Sequence, residues 1–312
     1  MPSMAIIEVR ELRKAYGATV AVDGIDLDVN EGEIFGVLGP NGSGKTTTIE
    51  CIAGLRKPDS GAIRVAGLDS SRDRAEITRQ VGVQLQEAGL QAKLTAREAI
   101  GLFASFYHDP LDGIGLAERL SLGAKLDTRY RDLSGGQKQR LAICLALISR
   151  PRIALLDELT TGLDPRNRRE VWAVIEELRD QGATIVLVSH YMEEAEHLCD
   201  RLALIDRGRI SALDSTAGII DRTGSPTVMS FSPSHPFAAG ELAGLEGVSG
   251  VRQLDERIEA TVTDEGVLAV LDWLAANGIR PRRLRVTEST LDDAYLSLIR
   301  GEEDVDAARG ED

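Results

Sequence analysis

Residues 39–47 read GPNGSGKTT and carry the spacing G-x-x-x-x-G-K-[ST]. Glycines at those positions let consecutive backbone N–H groups turn inward on an anion, and the helix that follows adds the positive end of its dipole. The chemistry served is phosphate binding. Gly39, Pro40, Asn41, Gly42, Ser43, Gly44, Lys45, Thr46 and Thr47 are therefore candidate ligands of a triphosphate. Lys45 is expected to reach the β- and γ-phosphates, and the Thr46 hydroxyl to coordinate Mg²⁺. A plain Gly/Ser turn with an exposed lysine is the competing reading; the strand-like run before the loop and the helix-like run after it argue against that.

A second cluster lies at residues 155–164, LLDELTTGLD, where an apolar run ends in Asp157 and Glu158. Charge at the edge of a core is costly unless it is paired or binds a metal, and the next cation along the chain is Arg166. The partner must come from elsewhere in the fold or be a ligand. With a phosphate loop in the same chain, Asp157 is expected to face Mg²⁺ and Glu158 the water that attacks the γ-phosphate.

The elements that bring these groups together can be read from hydrophobic pattern. Residues 33–39, 152–158 and 183–190 are nearly continuous apolar runs, each ending at a polar or glycine-rich turn before a helix-like segment. Such runs suit central strands of a parallel sheet covered on both faces. Ligands of open α/β sheets bind beyond the carboxyl ends of the strands, so Gly39, Asp157 with Glu158, and His190 should gather at one edge. Between these runs, residues 132–151 show an N-cap at Ser134, an apolar helical stripe of Leu141, Cys144, Leu145 and Ile148, and a closing Pro151. The segment LSGGQ, residues 133–137, also joins a hydroxyl, glycine amides and a helix start, which makes a second anion site.

Composition narrows the class. A chain of 312 residues has length for two domains. A net charge of -14 argues against an electrostatic grip on nucleic acid or on anionic lipid. No apolar run reaches the ~18 to 20 residues of a membrane span, and the start lacks the pattern of a secretion signal, so a cytoplasmic location is expected. Cys51, Cys144 and Cys199 lie far apart without zinc spacing and read as buried, reduced thiols. After residue 221 lysine is absent, and the pattern is strand 226–231, short helix 237–245, strands 248–254 and 257–263 turned at Asp255 and Glu256, helix 267–277 and strand 280–286. That order is a split βαβ unit. His235 reads as a loop residue, and the acidic tail 301–312 as disordered.

A phosphate loop, LSGGQ, an apolar run ending in Asp-Glu and a strand ending in His, in this order and spacing, resemble the ATP-binding cassette (ABC) ATPase family over about residues 5–220. The resemblance implies an α/β P-loop NTPase domain with a RecA-like core, an antiparallel β subdomain and an α-helical subdomain, spanning residues 5–221. A small C-terminal α+β domain of ferredoxin-like order would follow over residues 222–300. The resemblance further implies ATP and Mg²⁺ as ligands, and a head-to-tail dimer, most simply a homodimer, in which Ser134, Gly135, Gly136 and Gln137 of one copy cover the nucleotide of the other. Such a two-fold interface completes two sites at once.

Residue by residue, the resemblance makes Glu158 the general base, and puts Asp157 and Thr46 in the Mg²⁺ shell. His190 matches the histidine that contacts the γ-phosphate. Gln86 matches the glutamine that senses Mg²⁺ and the attacking water, although Gln84 lies two residues earlier on the same strand face and the choice rests on alignment. Asp164 matches the loop aspartate that links the two sites. Tyr16 takes the place of the aromatic that stacks on adenine, its plain reading being a turn aromatic at a hairpin edge. One departure is Leu159, where the family usually has proline; it frees a φ angle and restores an N–H.

Residues 94–108 open with a capping box of Thr95 and Glu98; the resemblance makes this region the groove that receives a short helix from the membrane subunit, and an ordinary surface helix of the α subdomain explains the sequence equally well. Residues 289–301, STLDDAYLSLIRG, look like the C-terminal segment of daunorubicin-resistance exporter subunits. The expected function is the ATP-hydrolysing subunit of an exporter of drugs or other amphipathic molecules. It would act through a separate membrane-spanning permease, held peripherally on the inner face of the membrane, with no nucleic acid partner and no direct lipid binding. The alternative is a soluble ABC ATPase acting on ribosome or DNA; such proteins generally carry two cassettes or a coiled-coil insertion and need basic surface. A sensor that binds ATP without hydrolysing it is disfavoured by the presence of Lys45, Asp157, Glu158 and His190 together.

Overall fold

Apolar side chains recur along the first thirty residues, Ile7, Val9 and Leu12 facing Val22, Ile25, Leu27 and Val29, and they close a long antiparallel hairpin of β1 (Ala5–Tyr16) and β2 (Thr19–Asn30). Register shifts after Val9 restore the inward phase for Leu12. The chain then runs through β3 (Ile34–Leu38) and helix α1 (Lys45–Ile52), and returns to the hairpin with β4 (Ser60–Val65) and β5 (Leu68–Asp69), giving the sheet order β2-β1-β4-β5. This is a computed structural model, and it describes residues 5–84, 89–222, 227–287 and 289–296.

The second sheet carries the candidate chemistry. Helix α2 (Arg74–Gln80) leads into β6 (Val81–Gln84), and three helices follow: α3 (Ala96–Ala104), α4 (Gly113–Arg119) and α5 (Gly135–Leu147). The capping box of Thr95 and Glu98 opens α3, with Thr95 N donating to Glu98 Oε2 at 2.8 Å. The chain continues as β7 (Ile153–Asp157), α6 (Pro165–Asp180), β8 (Thr184–Ser189), α7 (Met192–Leu198), β9 (Arg201–Asp206) and β10 (Arg209–Ser215). The six strands lie in the order β10-β9-β3-β8-β7-β6, parallel except for β10. The runs read from sequence as central strands are thus immediate neighbours, β3, β8 and β7, and every residue of each is buried. Phe35, Val37, Leu155, Val186 and Val188 share one core with the hairpin sheet and with Ile49 and Ile52 of α1. Two packed layers around one apolar core fix the strand ends in space.

Contacts divide the chain into two units, Met1–Thr216 and Ala217–Asp312. The second begins with α8 (Thr216–Arg222), followed by β11 (Thr227–Pro233), β12 (Val248–Leu254), β13 (Arg257–Val262), α9 (Asp264–Ala276) and β14 (Pro281–Thr287). Its sheet is antiparallel throughout, in the order β12-β13-β11-β14, the arrangement of a split βαβ unit. Met229, Phe231, Ile258, Ala260 and Val262 pack with Val270 and Leu274 of α9. The short helix expected at 237–245 is a 3-10 segment, Ala239–Gly244. Gly240 and Gly244 within so short a stretch lower its α propensity. Helix α9 starts at Asp264, earlier than the apolar pattern implied, because Thr263 accepts from Gly266 N and caps it. Among the described residues no helix is long and apolar enough to cross a membrane. The acidic tail lies outside the described residues.

Candidate nucleotide site

Parallel pairing brings the strand ends level. Leu38 of β3 stands opposite Ser189 of β8, and Asp157 of β7 opposite Val188, so Gly39, Glu158 and His190 leave the sheet side by side at its carboxyl edge. The loop after β3 is tightly enclosed. Gly44 caps α1 at φ +104, and a Cβ there would lie 2.2 Å from the Ala21 carbonyl oxygen. A Cβ on Gly39 would lie 2.0 Å from the Ile205 carbonyl oxygen. Both positions need glycine for space. The loop is also pinned from outside: Gly208 N donates to Ser43 O at 2.9 Å, and Asp23 N to Gly208 O at 2.8 Å. What remains is a cleft of about 460 Å³ lined by Asn41, Gly42, Lys45, Thr46, Thr47 and Glu158 among others.

The charges in this cleft are held under tension. Lys45 is only 6% exposed, and its Nζ donates to the carbonyls of Gly39 at 2.8 Å and Pro40 at 2.9 Å. Burial pulls its pKa down, with the Asp157 and Glu158 carboxylates pulling the other way. Asp157 is 1% exposed; its Oδ2 accepts from the Thr46 hydroxyl at 3.0 Å, and its Oδ1 has no hydrogen-bond partner. Burial pushes this carboxyl above the ordinary range and the Glu158 charge adds to the push, while Thr46 and Lys45 oppose it. A buried carboxylate oxygen with nothing to bind, next to a hydroxyl and a phosphate loop, fits Mg²⁺. That ion takes few protein ligands and completes its shell with water and substrate phosphates.

Glu158 turns the chain out of β7 at φ +50, its N–H held by Val188 O at 2.8 Å. His190 Nδ1 stands 3.3 Å from Glu158 Oε1, within reach of an ion pair when the ring is protonated but not aligned as a hydrogen bond. Leu159 is fully buried. The carbonyls of Glu158 and Leu159 both accept from Gln139 Nε2, at 2.9 and 3.2 Å. Gln139, in the first half of α5, ties the LSGGQ helix to the Glu158 turn; nothing in the pattern of α5 distinguishes it in sequence from a solvent-facing glutamine.

A separate pocket of about 440 Å³ is lined by Ser134, Gly135, Gly136, Arg140, Gly162 and Asp164 among others. Ser134 Oγ accepts from Gln137 N at 3.3 Å, and Gln137 Oε1 accepts from Ser134 N at 2.9 Å. This reciprocal cap leaves the hydroxyl proton free to be given to a ligand. Asp164 caps α6, its Oδ1 accepting from Arg166 N and Asn167 N, both at 3.0 Å. Those bonds, the Asn167 amide foremost, hold its pKa below the usual value. This pocket and the phosphate-loop cleft share no lining residue.

One expected residue stands apart. Tyr16 ends β1 at 42% exposure, lines neither pocket, and has Arg56 at 5.2 Å and Lys14 at 5.7 Å from its ring centroid. Gln86 lies outside the described residues; Gln84, its alternative, is buried at the end of β6.

A six-stranded sheet whose central strand runs through a glycine-rich turn into a helix, with carboxylates at the end of the strand next but one to it, defines a P-loop nucleoside triphosphatase. Comparison with known proteins narrows the class. Residues 22–161 match the ABC transporter family. The chain is 33% identical to the linearmycin resistance ATP-binding protein LnrL of Bacillus subtilis (strain 168), over 94% of this chain and 98% of that protein. It is 36% identical to the daunorubicin resistance ATP-binding protein DrrA3 of Streptomyces coeruleorubidus, over 94% of this chain and 95% of that one. Among solved structures, the dimeric ATP-binding cassette MJ0796 bound to ADP and Pi superposes with a TM-score of 0.62 at 27% identity, covering 67% of this chain and 98% of that chain. The chain belongs to the ATP-binding proteins of ABC transporters, with the α/β P-loop fold of that family. It is an ATP-binding ATPase.

Proposed function

We propose that residues 39–47, Asp157, Glu158 and His190 bind and hydrolyse Mg·ATP, and that this drives export through a separate membrane-spanning subunit. In this reading Lys45 exchanges the Gly39 and Pro40 carbonyls for the β- and γ-phosphate oxygens. Thr46 and Asp157, with Gln86, would hold Mg²⁺. The metal would neutralise charge on the phosphates. Glu158 accepts a proton from the attacking water as the water oxygen bonds to the γ-phosphorus. The bond from that phosphorus to the bridging oxygen breaks, and ADP leaves with the electron pair. His190 steadies the γ-phosphate, and Tyr16 stacks on adenine.

The two pockets on one chain, read as half-sites, support closure by a second copy. Ser134 to Gln137 of that copy would cover the phosphates, giving them the Ser134 hydroxyl proton and the Gly135 and Gly136 amides, with Asp164 joining the two sites. The observation that carries the catalytic reading is the unpartnered, buried Oδ1 of Asp157 beside Thr46.

The exporter reading draws on the relatives. Besides LnrL and DrrA3, a Nod factor export ATP-binding protein I of Cupriavidus metallidurans is 39% identical over 70% of this chain and 73% of that protein. We assign the nucleotide-binding role to residues 5–221 and an accessory role to residues 222–300, with the join at α8. The chain would sit on the inner face of the membrane through its permease, moving a drug or another amphipathic molecule, and the net charge of -14 favours neither nucleic acid nor an anionic lipid surface as partner. A tagged chain isolated from detergent-solubilised membranes of its own cells should bring down a protein with several spans of ~20 apolar residues. Recovery of ribosomal subunits or DNA in its place would overturn the exporter reading in favour of a soluble ABC ATPase.

A further inference from the structure

Glu194 is 0% exposed, yet the mechanism above gives it no task. Burying a carboxylate is costly unless its oxygens are well satisfied. Here they are, by donors from two different elements: Oε2 accepts from Ser189 Oγ at 2.7 Å, and Oε1 from Trp172 Nε1 of α6 at 3.2 Å. Ser189 immediately precedes His190, and its hydroxyl oxygen also accepts from Tyr191 N at 3.0 Å. A serine hydroxyl has one proton to give. Glu194 takes that proton, which leaves the lone pairs of the oxygen to face the Tyr191 amide. The residues on both sides of His190 are thereby locked through one hydroxyl whose orientation Glu194 sets.

His190 depends on that lock. Its Nδ1 makes no hydrogen bond, and its nearest charged neighbour, Glu158 Oε1 at 3.3 Å, pairs with it only when the ring is protonated, so no hydrogen bond on that nitrogen holds the neutral ring. The ring packs on Tyr191 at a centroid distance of 4.1 Å, and Arg168 of α6 lies 5.1 Å from the Tyr191 centroid. Asp164 caps helix α6, so Trp172 and Arg168 connect the His190 turn to the helix whose cap lines the second half-site.

We propose that Glu194 is a positioning residue for His190, acting through Ser189 and linking the histidine turn to α6. This rests on His190 contacting the γ-phosphate. The test is steady-state ATP hydrolysis by the full chain with Mg·ATP, comparing Glu194→Ala, Glu194→Gln, Ser189→Ala, His190→Ala and the double variant of Glu194→Ala with His190→Ala. Glu194→Ala is expected to lower kcat by about 10- to 100-fold, the scale of a misplaced reacting group, with KM within about twofold. Glu194→Gln keeps the shape and one acceptor oxygen and should fall in between, and Ser189→Ala should follow Glu194→Ala.

The double variant should be no slower than His190→Ala alone, because a residue acting through His190 has nothing left to position. Losses that multiply would assign Glu194 to general stability and overturn the proposal, as would full kcat in Glu194→Ala. Should His190→Ala hydrolyse ATP too slowly to compare, the His190 imidazole signal in proton NMR, assigned by its loss in His190→Ala, is the second readout. It should shift in Glu194→Gln, and an unchanged signal counts against the proposal. Full activity in His190→Ala would remove the His190 reading itself, a different failure from the one that spares His190 and sinks Glu194.

Discussion

The two units bury polar groups in different ways. In the first, Ser43, Lys45, Asp157, Thr160, Ser189 and Glu194 are all buried near strand ends of one sheet, and Ser43 Oγ, Asp157 Oδ1 and Thr160 Oγ1 have no hydrogen-bond partner. In the second, the one buried polar side chain among the described residues is Ser230, and it accepts from Arg257 at 2.7 Å. The second unit also has a pocket, of about 340 Å³, but its polar lining residues, such as His235, Asp255, Glu256 and Arg282, are exposed. Solvated charges around a groove cost nothing to keep and need no ligand to explain them. Desolvated, unsatisfied ones do. Concavity is common to both units; unpaid electrostatic tension belongs to one.

The largest test of that contrast is Glu158→Gln. Removing the proposed base should lower kcat by about 10²- to 10⁴-fold while ATP binding persists, and ATP hydrolysis at the normal rate would strip Glu158 of that role. Phe231→Ala probes the other side. Phe231 is fully buried in the second core, so its truncation should cost about 3–5 kcal/mol of stability, read by denaturant unfolding. KM for ATP should stay within about twofold, and a large change in KM would blur the division of labour between the units.

Tyr16→Ala comes next: loss of adenine stacking, worth ~1 to 3 kcal/mol, should raise KM for ATP, and an unchanged KM would return Tyr16 to a hairpin-edge role. The smallest effect concerns the tension itself. Asp157→Asn removes a buried charge while keeping the shape beside Thr46, and without Mg²⁺ or nucleotide it should raise Tm by about 2–4 °C at neutral pH. The sign follows from the raised pKa. A carboxyl lifted above its ordinary 3.8 gives full stability only below that value and loses it as pH rises through the higher folded-state value. The gap between Asp157→Asn and the parent should therefore widen as pH rises and narrow toward the acid range.

Much of this was legible because it is local. The phosphate loop, the cap at Ser134, the capping box at Thr95 and the apolar runs of β3, β7 and β8 depend on residue spacing over a few positions. The short helix expected at 237–245 is present over Ala239–Gly244, and only its 3-10 form was not legible. Gln139 and Glu194 were invisible as functional candidates: each is an ordinary polar residue on a helix until the fold sets it against a distant carbonyl or hydroxyl.

The sequence by itself marked the residues proposed to hold a triphosphate, since backbone amides, a lysine and a hydroxyl must be close along the chain to share one anion. It also determined the identity of the strands, because a two-faced apolar run has few other places to go. Only the tertiary structure decided that Asp157 keeps one oxygen unsatisfied, that the LSGGQ pocket stands apart from the phosphate-loop cleft of its own chain, and that a buried glutamate braces the His190 turn. Desolvation and hydrogen-bond completion are properties of a packed neighbourhood, and residues more than a hundred positions apart become neighbours only when the sheet is built.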